Sequence, residues 1–167
     1  MIIHDVGRSL AVAGVALFAL AGDTPAQDAD TREVSAYRFT DATLAKYVRA
    51  ARALAALAKS MPVDTSGDAR DEEDEGDSGS GTKSIAEITA GYDSVPGARR
   101  AITSAGLTTR EYVVFSFALL QAGLAAFLVE QQGWDKLPPD VARSNVEFYQ
   151  RHKAALDSVG AELRPRQ

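Results

Sequence analysis

The sequence predicts an all-α protein: a small bundle of about four main helices with a buried central helix at 109–132 and a disordered acidic loop set into the chain. Three observations predict it. An alanine-rich stretch over residues 40–60 places its apolar side chains on one half of a helical wheel. Three Ser/Thr-x-x-Glu patterns stand before apolar patterns, at Ser84–Glu87, Thr108–Glu111 and Ser144–Glu147. Between Tyr112 and Val129 the chain carries no charge at all.

The N-terminal 26 residues read as a secretory signal peptide. Arg8 precedes a short apolar run centred on Leu10 to Leu20, and Thr24-Pro25-Ala26 supplies small residues at a cleavage site after Ala26. A membrane-spanning helix needs ~20 apolar residues, so a cleaved signal is the expectation, and with it an exported protein, periplasmic or extracellular. No cysteine follows the run, which excludes a lipid attached to an N-terminal cysteine. Residues 27–38 are polar and are expected as a flexible leader. A single helical domain over 39–163 and a tail at 164–167 complete the expected organisation.

The helix beginning after Thr40 has Leu44, Tyr47, Val48, Ala51, Leu54, Ala55, Leu57, Ala58 and Met61 on one side, with Lys46, Arg49, Arg52 and Lys59 on the other. Alanine favours helix intrinsically, and Pro62 ends it. The stretch 63–83 follows. From Asp64 to Lys83 it holds eight acids and two bases, and after Val63 no apolar residue larger than alanine. Such a composition cannot offset the entropy of ordering, so a disordered acidic loop is predicted. Asp71, Glu73, Glu75, Gly76 and Asp77 partly follow the ligand spacing of a calcium loop, but Thr82 stands where a closing glutamate is needed.

The helix opened by Ser84 is expected to end near Gly91. Ser94 is expected to cap a short helix at 97–105, stopped by Gly106. Thr108 opens the long helix, with Leu107 and Tyr112 at the positions of a hydrophobic staple. That helix has a bulky side (Val113, Phe117, Leu120, Leu124, Phe127, Leu128) and a small side (Ala118, Ala122, Ala125, Ala126). Small residues four apart allow close backbone approach, in membrane dimers and in tight soluble bundles alike. Gln121 at the midpoint, the caps at both ends and the apolar faces of the neighbouring helices favour a buried soluble helix. Membrane insertion of 112–129 is the alternative. Gly133 is expected to stop the helix, with Trp134 folding back over its last turn. The last helix is expected to run from the Ser144 cap to Gly160.

Chemistry is sparse. The chain has no cysteine and two histidines, of which His4 lies in the signal. Disulfides, thiolate metal sites and thioether haem attachment are excluded, and a metal or triad site would have to be built around His152 alone. No phosphate loop, nucleophile elbow or His-Glu-x-x-His pattern occurs. The net charge of −5 and the absence of a basic stripe argue against nucleic acid. No cofactor, metal or catalytic residue is assigned. The expected function is a non-catalytic binding or protein-interaction module, with a small-molecule carrier or enzyme site formed between helices as the alternative. Its partner, protein or small molecule, and its oligomeric state are left open. Candidate contact residues are Arg99 and Arg100 in the short helix, Trp134, Tyr149 and His152.

Overall fold

The computed structural model describes residues 25–60 and 83–163. Among them are six α-helices, one 3-10 turn and no strand: α1 (Pro25–Ala36), α2 (Asp41–Ser60), α3 (Ile85–Ser94), α4 (Ala98–Ser104), α5 (Thr109–Gln132), the 3-10 turn Trp134–Lys136, and α6 (Arg143–Leu163). The fold is an all-α bundle with α5 at its centre. Residues up to 24 of the expected signal, the acidic stretch from 61 to 82 with its calcium-like pattern, and the tail at 164–167 lie outside the described residues.

Two of the three predicted capping boxes form. Thr108 Oγ1 accepts from the Glu111 N–H at 3.1 Å while the Glu111 carboxylate accepts from the Thr108 N–H at 2.7 Å. Ser84 and Glu87 make the same exchange at 3.2 and 2.7 Å. The staple is present as well, since Leu107 and Tyr112 are buried in one cluster. Backbone hydrogen bonds, chiefly, hold the Glu87 and Glu111 carboxyls below the ordinary glutamate range. A carboxyl depressed in the folded state contributes stability above its unfolded pKa and loses it as pH falls through the folded value. Thr108→Ala is therefore expected to lower stability by about 1 kcal/mol. A Glu111→Ala chain should be less stable than the parent at neutral pH, with the difference narrowing as the solution is acidified, as measured by urea unfolding across an acid pH series.

The third box does not form. Helix α6 begins at Arg143, before Ser144, because Ala142 O already accepts from the Asn145 and Val146 N–H groups. Glu147 is then drawn to Arg143 one turn back, at 2.9 Å. A fourth box was missed: Thr40 and Thr43 exchange hydroxyl-to-backbone bonds at 3.0 and 3.1 Å at the start of α2, with threonine in the usual place of glutamate.

Three more boundaries differ from expectation. Residues 27–38, expected as a flexible leader, are largely helix α1. Its polar side chains have partners: Asp30 Oδ2 accepts from the Ile85 N–H at 2.6 Å, and Glu33 takes a two-pronged bond from Arg110. Helix α3 continues past Gly91 to Ser94, so Ser94 ends one helix where it was expected to cap the next. Gly97, at φ +85°, precedes α4 with no side-chain cap. Helix α6 runs through Gly160 to Leu163, because Glu162 pairs with Arg52 at 2.9 Å and Leu163 packs on the α2–α4 cluster. An exposed helical glycine costs only ~1 kcal/mol, which such contacts offset.

The core is aromatic around α5. Phe115 is fully buried, with Tyr47 stacked on it at 4.4 Å, Phe39 at 5.0 Å and Tyr37 at 5.7 Å between centroids. Helix α3 runs antiparallel to α5, with Asp93 bonded to Thr109 at 2.7 Å and Ile85 packed on Val113 and Val114. Helix α6 packs on the small side of α5, where Ala118, Ala122, Ala125 and Ala126 are buried against Phe148 and Val146. There the missing side chain of Gly123 matters, since a Cβ would stand 3.1 Å from the Tyr149 ring.

Candidate functional site

Packing the alanine side of α5 inward leaves its bulky side to be covered from elsewhere, and that cover is incomplete. Helix α3 lies over Val113 and reaches Phe117, which is half-buried. Beyond Phe117, α5 runs on to Gln132, and among the described residues its outer face is largely exposed. Leu120 is 41% exposed, Leu124 61% and Phe127 64%. At about 100° per residue these three lie within one narrow strip of the helix. Scattered exposed leucines are ordinary, whereas a contiguous apolar strip marks a contact surface.

A shallow cleft of about 230 Å³ borders the strip, lined by Gln121, Leu124, Ala125, Leu128, Pro138, Asp140 and Val141. Pro138-Pro139 carries the chain past it, and Gln121 Nε2 donates to Asp140 Oδ2 at 3.0 Å at its edge. A second cleft, of about 280 Å³, opens between α2 and α6 and is lined by Leu44, Val48, Arg52, Ala155, Leu156, Ser158 and Val159. Its one cation is engaged: Arg52 donates to both carboxylate oxygens of Glu162, at 2.9 and 3.0 Å.

The residues singled out from the sequence do not converge. Arg99 and Arg100 are exposed on α4. Trp134 and Tyr149 pack on one cluster, that of Ala125, Ala126, Val141 and Val146, so both are half-buried against the inner side of α5. The Arg143 guanidinium lies over the Trp134 ring at 4.4 Å. His152 stands apart from both, on the Phe148 ring at 4.3 Å and with Nε2 2.9 Å from Asp41 Oδ1. The His152–Asp41 pair lines neither cleft, and the Asp41 side chain is largely in solvent. The Tyr112 hydroxyl offers no acid chemistry near neutrality. Burial, then the neighbouring Tyr47 and Tyr92, pushes Tyr112 well above the ordinary tyrosine range. Among the described residues no three histidine, aspartate or glutamate side chains come together as a metal site.

No protein-family model, curated protein or solved structure matches the chain.

The surface that sequence reasoning missed is thus the open half of α5. Its residues form the bulky side of the helix in the sequence, but the sequence does not say that the cover given by α3 reaches no further than Phe117. By length and composition α5 is also long and apolar enough to cross a membrane, although half of its most apolar window is buried in the bundle.

Proposed function

We propose that the protein is an exported, non-catalytic interaction module that docks its partner on the open face of α5 around Leu124. The observation that carries this reading is the row Leu120, Leu124 and Phe127, exposed on a helix whose alanine side is buried. Transferring such side chains out of water is worth about 1.5–3 kcal/mol each when complete, so an occupant has a ready source of affinity. The polar edge of Gln121 and Asp140 suits the apolar-centre, polar-rim pattern of protein contacts.

The carrier reading is weaker. Ligand pockets run from about 300 to 1,000 Å³ with a few polar groups converging on the ligand. The α2–α6 cleft falls just short in size, and its arginine is occupied by Glu162. The length and apolar character of α5 favour a second reading, in which the open face lies on a membrane surface.

A photo-crosslinking residue placed at Leu124 in the exporting cell, with Ala90 on α3 as an exposed control, tests the docking reading. A defined protein adduct is expected at Leu124 and none at Ala90. Absence of any protein adduct at Leu124 would count against docking.

A further inference from the structure

We infer that, independently of what the outer face of α5 binds, His152 acts as a proton-operated clasp on the connection between α1 and α2. One stripe of α6 holds that connection. Asn145, Phe148 and His152 follow one another at intervals of three and four residues, so they share one face of the helix. All three reach the same short piece of chain, from Tyr37 to Asp41. Asn145 bonds both the Tyr37 carbonyl and the Phe39 N–H. Phe148 packs on the Phe39 ring at 5.4 Å between centroids. His152 completes the stripe. Its ring lies on Phe148 at 4.3 Å, and its Nε2 stands 2.9 Å from Oδ1 of Asp41, the first residue of α2.

The first two members of the stripe hold the connection at any pH, and the third does not. His152 is the one histidine among the described residues. Histidine is the side chain whose charge ordinarily changes between about pH 5 and 8. As a neutral ring it can donate one hydrogen bond from Nε2 to Asp41. Once protonated, the same contact becomes an ion pair, and the ring also sets a positive charge against the Phe148 face.

The surrounding charges are few. Asp41 is the carboxylate in contact, and its place at the start of α2 favours its ionised form. The positive end of α2 opposes a charge on the ring. So does Arg151, whose guanidinium lies 5.8 Å from the Phe148 ring centre. Arg38, on the connection itself, donates to the Ser35 and Tyr37 carbonyls. Lys153 is taken up by Asp157 at 2.7 Å. Helix α5, which packs on Phe148 from the other side, carries no charge between Tyr112 and Val129. Attraction at contact distance outweighs the more distant opposing charges.

The sign follows from the partner. An imidazolium that meets its carboxylate only in the folded chain adds stability in acid, and that stability is lost as pH rises and the ring gives up its proton. This is opposite to the capping glutamates, whose contribution falls in acid. The clasp therefore tightens the hold of α6 on the α1–α2 connection as the solution is acidified. Its effect is modest, because the Asp41 side chain is largely in solvent.

Melting temperatures of the full chain, of His152→Gln, of Asp41→Asn and of the double variant, at about pH 5.5 and about pH 8, read the clasp. At the lower pH His152→Gln should melt about 2–4 °C below wild type. In the Asp41→Asn background the same substitution should cost little. At the higher pH the gap between wild type and His152→Gln should shrink. Comparing variants at one pH cancels the contribution of the glutamates. Amide exchange at Phe39 places the effect: its acceleration by His152→Gln should be greater at the lower pH. A gap that is equal at the two pH values would show that the ring only packs, and would overturn the proposal. Substitutions that add fully in acid, or an acceleration at Phe39 that does not depend on pH, would overturn it as well.

Discussion

Replacing Phe115 by alanine is expected to cost about 3–5 kcal/mol, the range for emptying a large aromatic site in a packed core. The ring is fully buried and touches Tyr37, Phe39 and Tyr47, which come from the α1–α2 connection and from α2. Its loss opens a cavity where separate elements meet, and no one of them can close it by a rotamer change. Against a total stability of about 5–15 kcal/mol for a domain, the variant should stand close to unfolding at ambient temperature, as urea titration would read. The informative control lies on the same helix. Phe127→Ala removes the same side chain from a site that is 64% exposed. In dilute solution it should shift stability by no more than about 0.5 kcal/mol. A large loss at Phe127 in the monomer would mean that the outer face of α5 is not open.

Asn145→Leu is the second large effect. Asn145 is only 4% exposed and works in both directions. Its Oδ1 accepts from the Phe39 N–H at 3.3 Å, and its Nδ2 donates to the Tyr37 carbonyl at 2.8 Å. One side chain on α6 thus satisfies the backbone that turns the chain from α1 into α2. Leucine is similar in size and can do neither. Leaving a buried backbone group unpaired costs about 1–3 kcal/mol; the Phe39 N–H is left so, while the Tyr37 carbonyl keeps the Arg38 guanidinium at 2.7 Å. Amide exchange at Phe39 should accelerate together with the global loss, because the bond that protects that hydrogen is gone. Unchanged exchange at Phe39 would show that the Asn145 contact is not what holds the turn.

The helices that packing and capping specify together were legible in the sequence. Helix α5 carries its start in Thr108, Glu111, Leu107 and Tyr112, and its stop in Gly133, and it has those bounds in the fold. The third box failed for a physical reason: a Ser-x-x-Glu pattern does not say whether the preceding carbonyl has already begun the helix, and Ala142 O has. Helix α1 was illegible because its helical character comes from distant partners. Asp30 and Glu33 look like solvated leader residues until Ile85 and Arg110 are placed beside them. Tyr37 and Phe39 carried a signal that was passed over, since two aromatics beside a polar stretch seldom stay in water. The candidate site was half legible. The wheel of α5 separates bulky from small residues, but which side faces in depends on how closely α6 can approach. Gly123 under the Tyr149 ring answers that for the small side.

The bonds from Asp30 to Ile85, Glu33 to Arg110, Arg49 to the Ala105 carbonyl, Arg52 to Glu162 and Phe39 to Asn145 share a property. Each joins a residue before position 61 to one after position 82. The folded domain is, in effect, a complex of two peptides, α1–α2 and α3–α6, each lacking part of the core that the other supplies. Because one chain carries both peptides, their association is intramolecular. What holds the domain together is the mutual fit of those two peptides.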